Sequence, residues 1–133
     1  MTMRFTAPKV TRRGLPQNSS EGRSVWYLGF LPQGHPDRAV FERQCKSPGS
    51  TFSFEVKGGE IEAFAVLDRL KVIKLAVSLG GTETLASHPA AMTHSDIPEV
   101  ERLRLGITPM LIRISVGIED PDDLIADLNQ ALG

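Results

Sequence analysis

The sequence has 133 residues, of which 41% are hydrophobic and 23% are charged, and its formal net charge is -1. This composition is ordinary for a globular protein, and a chain of this length buries a core within a single domain. The small net charge excludes a strongly basic nucleic-acid-binding protein, and no apolar run approaches the roughly 18 residues of a membrane span. We therefore expect neither a nucleic acid nor a membrane as a partner. The single cysteine, Cys45, excludes an internal disulfide and is typical of a cytoplasmic protein.

The first 25 residues differ in charge and pattern from the rest of the chain. They contain five basic side chains against one acidic side chain, with proline, glycine and serine between them and no apolar periodicity. Such a segment buries too little apolar surface to fold, so we expect a basic, disordered tail over residues 1–25. The folded domain is then expected to span residues 26–133.

The segment from residue 25 to residue 57 predicts two extended elements around a helix. Residues 25–34 are apolar and broken by proline, which indicates a short strand or an extended arm. A helix is predicted from Pro36 to about Gln44, with Val40 and Phe41 as its apolar contacts. Residues 51–57 alternate between apolar and polar side chains and so predict a half-buried strand. The apolar face of that strand is formed by Phe52, Phe54 and Val56.

A helix, a strand and a loop are predicted between residues 60 and 97. Helical spacing over 60–70 gives an apolar stripe of Ala63, Val66, Leu67 and Leu70, widened by Ile61 and Phe64. Residues 73–79 alternate again and predict a strand, with one face formed by Ile73, Leu75, Val77 and Leu79. The glycines, Pro89 and the polar residues of 80–97 indicate a loop.

The remaining residues predict a short helix, a strand and a well-specified last helix. The short helix spans about 98–104, with Asp96 as its candidate N-cap and Glu99 completing a capping box. Residues 110–116 predict a strand, with Ile112, Ile114 and Val116 on one face and Arg113 and Ser115 on the other. Asp120 followed by Pro121 begins the last helix. Its apolar stripe is formed by Leu124, Ile125, Leu128 and Leu132.

Alternating strands joined through helices predict a two-layer α+β fold, in which helices pack on one face of a small sheet. The other face of the sheet is more polar and carries Ser53, Ser78 and Arg113.

Most of the candidate chemical groups have ordinary structural explanations. His88 and His94 are six residues apart in one loop without a third ligand at a diagnostic spacing, so we expect no metal site and predict loop-stabilising hydrogen bonds. The glycine pairs at 58–59 and 80–81 match no phosphate-binding motif and indicate turns. Arg113 is the exception because a charged side chain inside an apolar strand needs a partner. Two alternatives stay open for it, a structural ion pair and a fork that binds a carboxylate ligand.

Three stretches of the sequence resemble one enzyme family, namely SLGGTETL at 78–85, HPAAMTHS at 88–95 and LIRISVGIEDPDDLIADL at 111–128. Their order and spacing resemble the C-terminal domain of the Cys/Met-metabolism enzymes, which depend on pyridoxal phosphate and have fold type I. The resemblance implies that the small sheet is mostly antiparallel, with helices packed on one face. This family includes cystathionine γ-synthases, cystathionine γ-lyases, methionine γ-lyases and homoserine-ester sulfhydrylases. The resemblance extends more weakly back to about residue 26.

The resemblance implies a substrate-binding role for three residues. Arg113 matches the arginine that holds the α-carboxylate of the substrate, and Ser78 matches a residue that lines the pocket near that group. Thr93 matches a threonine close to the same carboxylate. Val77 stands where many cystathionine-processing members carry glutamate, and in this the chain resembles the methionine γ-lyases more. The resemblance also implies that the polar sheet face meets a large cofactor-binding domain.

The resemblance does not extend to the cofactor site. The family needs a lysine that forms a Schiff base, within a segment of the large domain, and none of the lysines of this sequence lies in such a segment. It therefore implies pyridoxal 5'-phosphate in the full family enzyme and none held by this chain alone. We expect no catalytic residue here and no activity without a large domain.

Two kinds of function follow from these observations. In the first, the chain supplies the carboxylate site for γ-elimination or γ-replacement on methionine, cystathionine or a homoserine ester. In the second, it is a non-catalytic binding or oligomerisation module, a truncated or split homologue. A polar face that is built to be covered also leads us to expect a homo-oligomer.

Overall fold

The computed structural model describes residues 25–133, which form one sheet and four α-helices. The strands are β1 (Val25–Trp26), β2 (Thr51–Glu55), β3 (Lys74–Leu75), β4 (Leu85–Ser87) and β5 (Leu111–Ser115). The helices are α1 (Arg38–Gln44), α2 (Glu60–Arg69), α3 (Glu99–Arg104) and α4 (Pro121–Leu132), with a turn of 3-10 helix at Leu28–Phe30. The tail predicted over residues 1–25 lies outside the described residues except for Val25, and the domain boundary stays a prediction.

The five strands lie in the order β1-β2-β5-β4-β3. β5 is central, and it pairs antiparallel with β2 along its whole length and with β4 over three residues. β1 is antiparallel to β2, whereas β3 runs parallel to β4. The predicted α+β class and mostly antiparallel sheet are therefore confirmed.

The core lies between one face of the sheet and helices α2 and α4. β2 and β5 point alternate side chains into it, and the helices supply the opposite wall. The buried sheet residues include Phe52, Phe54, Ile112, Ile114 and Val116, and the buried helix residues include Ala63, Val66, Leu67, Leu124, Ile125 and Leu128. Each large aliphatic or aromatic side chain buried in this way contributes about 1.5 to 3 kcal/mol. The predicted patterns of β2, α2, β5 and α4 are thus confirmed at these positions.

Helix α4 begins as its sequence predicts. The Asp120 carboxylate accepts a hydrogen bond of 2.8 Å from the backbone N–H of Asp122, and Pro121 occupies the first helical turn. The cap satisfies a backbone donor that has no partner inside the helix.

The strand predicted over residues 73–79 is wrong beyond Leu75. β3 contains only Lys74–Leu75, and the last backbone bond to β4 joins Ala76 N–H to the carbonyl of Ala86. The chain then leaves the sheet edge and crosses its polar face, where Gly80 N–H donates to the Ser115 hydroxyl. Because no element of residues 25–133 covers them, Leu75, Val77 and Leu79 are 47%, 51% and 57% exposed.

The loop predicted over residues 80–97 contains an unpredicted strand, β4. Its three residues, Leu85–Ser87, are all buried and pair with β5 on one side and β3 on the other. Three residues are too few to show a period, so only the pairing reveals the strand.

Three smaller predictions are also wrong. Asp96 does not cap α3; Pro98 is the N-cap, and no side chain caps it. Ile61 lies in the first turn of α2 and is 81% exposed, so it is not part of the apolar stripe. Val40 is exposed because no residue of α1 is buried against the core.

Asp127 connects α4 to the chain segment that leads into β3. Its carboxylate accepts hydrogen bonds of 2.9 Å from the backbone N–H groups of Lys71, Val72 and Ile73. The amide of Gln130 adds a fourth bond of 3.0 Å. Burial raises the pKa of the Asp127 carboxyl, but these hydrogen bonds outweigh the burial and hold the pKa below its usual value of 3.8.

Candidate functional site

Arg113 lies at the middle of β5, on the sheet face opposite the core. Directly opposed residues of antiparallel strands point to the same face, and Arg113 opposes Ser53 of β2 and Ser87 of β4. Trp26 opposes Ser53 in turn and extends the row to β1. The face carries Ser53 and Arg113 as predicted, with a neighbour on each side of the guanidinium.

The guanidinium of Arg113 is held by backbone carbonyls rather than by a carboxylate. Its Nη2 donates to the carbonyl oxygen of Val77 at 2.6 Å and lies 3.4 Å from that of Ser78. No carboxylate of residues 25–133 forms an ion pair with it, so the structural ion pair is excluded within this part of the chain. A guanidinium has five N–H donors in a rigid fork, and Nε and Nη1 form no hydrogen bond with a described residue.

Ser78 is brought to Arg113 through the backbone. It lies in the segment that crosses the polar face, which we call the crossing loop (residues 76–83), and its side chain is exposed. Beyond the Ala76 bond to β4, the loop is fixed on the sheet by the Arg113 bonds to its carbonyls and by the 2.9 Å bond from Gly80 N–H to the Ser115 hydroxyl. Arg113 therefore shapes the segment in which Ser78 lies.

Thr93 lies in a turn that begins one residue after β4. Backbone bonds from Met92 and Thr93 to the carbonyls of His88 and Pro89 close this turn. The Thr93 hydroxyl is 2.7 Å from His94 Nδ1 and 3.3 Å from the Pro89 carbonyl, and it donates its proton to one of them. No hydrogen bond joins Thr93 to Arg113 or Ser78 within the described residues, so the structure brings together two of the three predicted residues by direct contact.

His88 stabilises the same turn. Its Nδ1 accepts from Ala91 N–H at 3.1 Å, so the proton is assigned to Nε2, which donates to the Pro109 carbonyl at 2.7 Å. The ring is fully buried and packs on Phe64, with the ring centres 4.8 Å apart. The predicted loop-stabilising role is confirmed for His88, and residues 25–133 contain no cluster of three or more metal-ligating side chains.

The end of the crossing loop is held by a network that the sequence analysis missed. The Glu119 carboxylate accepts from both the backbone N–H and the hydroxyl of Thr84, each at 2.6 Å. The Thr84 oxygen accepts in turn from Gly117 N–H at 2.8 Å. A threonine in a glycine-rich loop gives no sequence signal for such a role, because its partners are 33 and 35 residues away.

The fold and this site define a small α+β domain that presents a half-buried arginine fork on an open sheet face. Domains of this shape occur in solved structures of two enzymes. A cystathionine gamma-lyase from Micromonospora echinospora matches 98% of this chain with a TM-score of 0.86 and 42% identity, and a cystathionine gamma-synthase from Xanthomonas oryzae pv. oryzae, solved with aminoacrylate and cysteine, matches with a TM-score of 0.84 and 36% identity. The chain covers 33% of each of these structures.

Sequence comparison finds further relatives of a similar kind. An L-methionine gamma-lyase from Fusobacterium nucleatum subsp. polymorphum is 48% identical over 108 residues, which are 81% of this chain and 27% of the relative. A cystathionine gamma-lyase from Rattus norvegicus is 48% identical over 136 aligned positions, covering 98% of this chain and 34% of the relative. The sequence model of the family described as "Cys/Met metabolism PLP-dependent enzyme" matches residues 17–133. The chain belongs to this family, and it spans about a quarter to a third of the length of these relatives.

The lysines of residues 25–133 do not fit the Schiff-base position that pyridoxal phosphate requires. A Schiff-base lysine needs a desolvated or electropositive pocket that activates its amine. The four lysines in residues 25–133, Lys46, Lys57, Lys71 and Lys74, are all exposed on the surface. The Lys74 ammonium donates to the carbonyl of Lys71 at 2.7 Å, outside any pocket.

Proposed function

We propose that this chain supplies the substrate-recognition part of a pyridoxal-phosphate-dependent enzyme that acts on a sulfur amino acid by γ-elimination or γ-replacement. The observation that carries the proposal is the Arg113 guanidinium, whose Nε and Nη1 donors have no described partner on an open sheet face. The planar fork of arginine matches a carboxylate in a bidentate arrangement, and every amino acid substrate carries an α-carboxylate.

The neighbouring residues give this site its proposed shape. The bonds from Arg113 Nη2 to the crossing loop fix one side of the guanidinium and leave the rest of the fork for the ligand. In this proposal the exposed Ser78 lines the substrate pocket beside the guanidinium, and Thr93, in the turn after β4, contributes its hydroxyl near the same carboxylate. Val77 is half exposed next to the carbonyl that holds Arg113. Its apolar side chain favours a methionine γ-lyase-like substrate over one with a second charged end.

The cofactor and its Schiff-base lysine would come from a large domain that covers the polar face. The lengths of the relatives support this assignment. An L-methionine gamma-lyase and a cystathionine gamma-lyase each extend well beyond the region they share with this chain. Mixing the chain with a separately expressed large domain of such a relative should restore γ-lyase activity to that domain. The absence of both binding and activity would count against the proposal.

The first prediction concerns Arg113→Lys. A lysine keeps the charge but loses the bidentate fork, so we expect the affinity for L-methionine to fall about tenfold. An NMR titration of the 15N-labelled chain to high methionine concentration measures weak binding of this kind. Arg104→Lys is the matched control, because Arg104 pairs with Glu101 on the surface of α3. Unchanged binding by Arg113→Lys would show that Arg113 has only a structural role.

One observation favours the alternative of a binding or oligomerisation module. Leu75, Val77 and Leu79 leave an apolar edge beside the polar face, and a surface of this kind is normally covered. We expect sedimentation velocity to show a concentration-dependent dimer of the chain. The double change Val77→Ser and Leu79→Ser should shift it toward the monomer. A monodisperse monomer of the unchanged chain at high concentration would contradict this prediction.

A further inference from the structure

Ser87 carries a buried hydroxyl without a hydrogen-bond partner. The residue is 1% exposed, and its Oγ is the one buried side-chain nitrogen or oxygen atom of residues 25–133 that lacks a partner. A buried polar group of this kind lowers stability, since water no longer solvates it and no protein group replaces the water. Nearly all buried polar groups in native proteins have a hydrogen-bond partner, so we expect the Ser87 hydroxyl to gain one in another state of the protein.

The position of Ser87 identifies the group that can reach it. Ser87 is the register partner of Arg113, so the two side chains leave the sheet on the same face with Cβ atoms about 5 Å apart. The hydroxyl is shielded from solvent, so a ligand that approaches from outside meets the half-buried guanidinium first. Arg113 is thus the neighbour placed to use this oxygen.

The guanidinium of Arg113 has more N–H donors than the backbone carbonyls and a bound carboxylate accept, and Ser87 can accept one of the others. Nη2 donates one N–H to the Val77 carbonyl at 2.6 Å, and its second N–H, 3.4 Å from the Ser78 carbonyl, is left for a ligand. A bidentate carboxylate takes that N–H together with one N–H of Nη1, since its two oxygens need donors on the same edge of the guanidinium. When a bound ligand excludes water from the guanidinium, Nε–H, the donor closest to the sheet, needs an acceptor, because a charged donor left unsatisfied in a dry site is costly.

We propose that Ser87 is a positioning residue of the Arg113 site. Its hydroxyl oxygen accepts the Nε–H of Arg113 when an amino acid carboxylate is bound, and so fixes the plane of the fork. The inference rests on the proposed function of Arg113 and deepens it. Ser53, the register partner on the other side, is half-buried and open to water, so it is not needed as the acceptor.

The test compares Ser87→Ala with Ser53→Ala and Ser87→Thr in the 133-residue chain. We expect Ser87→Ala to weaken L-methionine binding about fivefold in the NMR titration, while Ser53→Ala leaves it unchanged and Ser87→Thr, which keeps the hydroxyl, restores it. The side-chain Nε–H signal of Arg113, assigned by its loss in Arg113→Lys, should shift on methionine addition in the unchanged chain and shift less in Ser87→Ala. Methioninol, which lacks the carboxylate, should cause no such shift. The unfolding temperature of Ser87→Ala should not fall and should rise by a few degrees, since no hydrogen bond is lost and an unsatisfied buried hydroxyl is removed.

The outcomes separate this inference from the function on which it rests. If Arg113→Lys weakens methionine binding and Ser87→Ala does not, the inference is wrong and the carboxylate site stands. If the Nε–H signal of Arg113 in the unchanged chain does not shift up to the highest soluble methionine concentration, both the role of Ser87 and the carboxylate site are wrong. A fall of several degrees in the unfolding temperature of Ser87→Ala would show that its role is structural and would also overturn the inference.

Discussion

Replacing Asp127 with alanine should lower the free energy of unfolding by about 4 kcal/mol, because each buried donor left without a partner costs about 1 to 3 kcal/mol. The change removes the acceptor of three consecutive backbone N–H groups at residues 71–73 and of the Gln130 amide. Denaturant unfolding followed by circular dichroism measures the loss. Asp123→Ala is the matched control, since Asp123 lies one turn earlier on an exposed face and should cost less than about 1 kcal/mol.

The same carboxylate gives the stability a pH dependence of known sign. The folded-state pKa of Asp127 lies below its usual value of 3.8, so the folded protein binds this proton less readily than the unfolded chain. The stabilisation is fully present above that usual value and is lost as the pH falls through the folded-state pKa. The stability difference between the unchanged chain and Asp127→Asn should therefore shrink from about pH 5 to about pH 2. A constant difference over that range would contradict the assignment.

Replacing Gly117 with alanine should destabilise the protein by about 3 kcal/mol through steric overlap. A Cβ atom at this position would overlap the carbonyl oxygen of Thr82 and lie 2.6 Å from the carbonyl carbon of Glu83. These are backbone atoms, so the crossing loop itself must move. That movement breaks the bonds from Ile118 N–H to Thr82 and from Gly117 N–H to the Thr84 hydroxyl.

The Gly117 change should also affect ligand binding, because the crossing loop carries the carbonyls that hold Arg113. We expect Gly117→Ala to weaken methionine binding together with stability. Gly59→Ala provides the control, since its Cβ would approach nothing closer than 3.6 Å. Thermal unfolding and the NMR titration measure both effects, and a Gly117→Ala protein as stable as Gly59→Ala would refute the packing argument.

Local pattern was sufficient for the elements that form the core. In β2 and β5 one face is buried and the other is not, so the period of two is visible in the sequence. In α4 the cap, the first-turn proline and the apolar stripe all agree. The resemblance of three motifs then indicated the family, which the comparisons confirm. Asp127 was missed although it stands among the buried positions of α4, where a carboxylate is itself a signal of a buried hydrogen-bond network.

The sequence by itself thus determined the class of fold, the existence of the strand β5 and the position of Arg113 on it, because each depends on residues near one another in the chain. Only the tertiary structure decided three further features. Leu85–Ser87 form a strand because they pair with β3 on one side and β5 on the other. The segment predicted as a strand over residues 73–79 leaves the sheet after Ala76. The partners of Arg113 are backbone carbonyls 35 and 36 residues away, and those groups have no side-chain signature. Contacts between distant backbone atoms depend on how the elements pack, so the local periodicity of the sequence does not predict them.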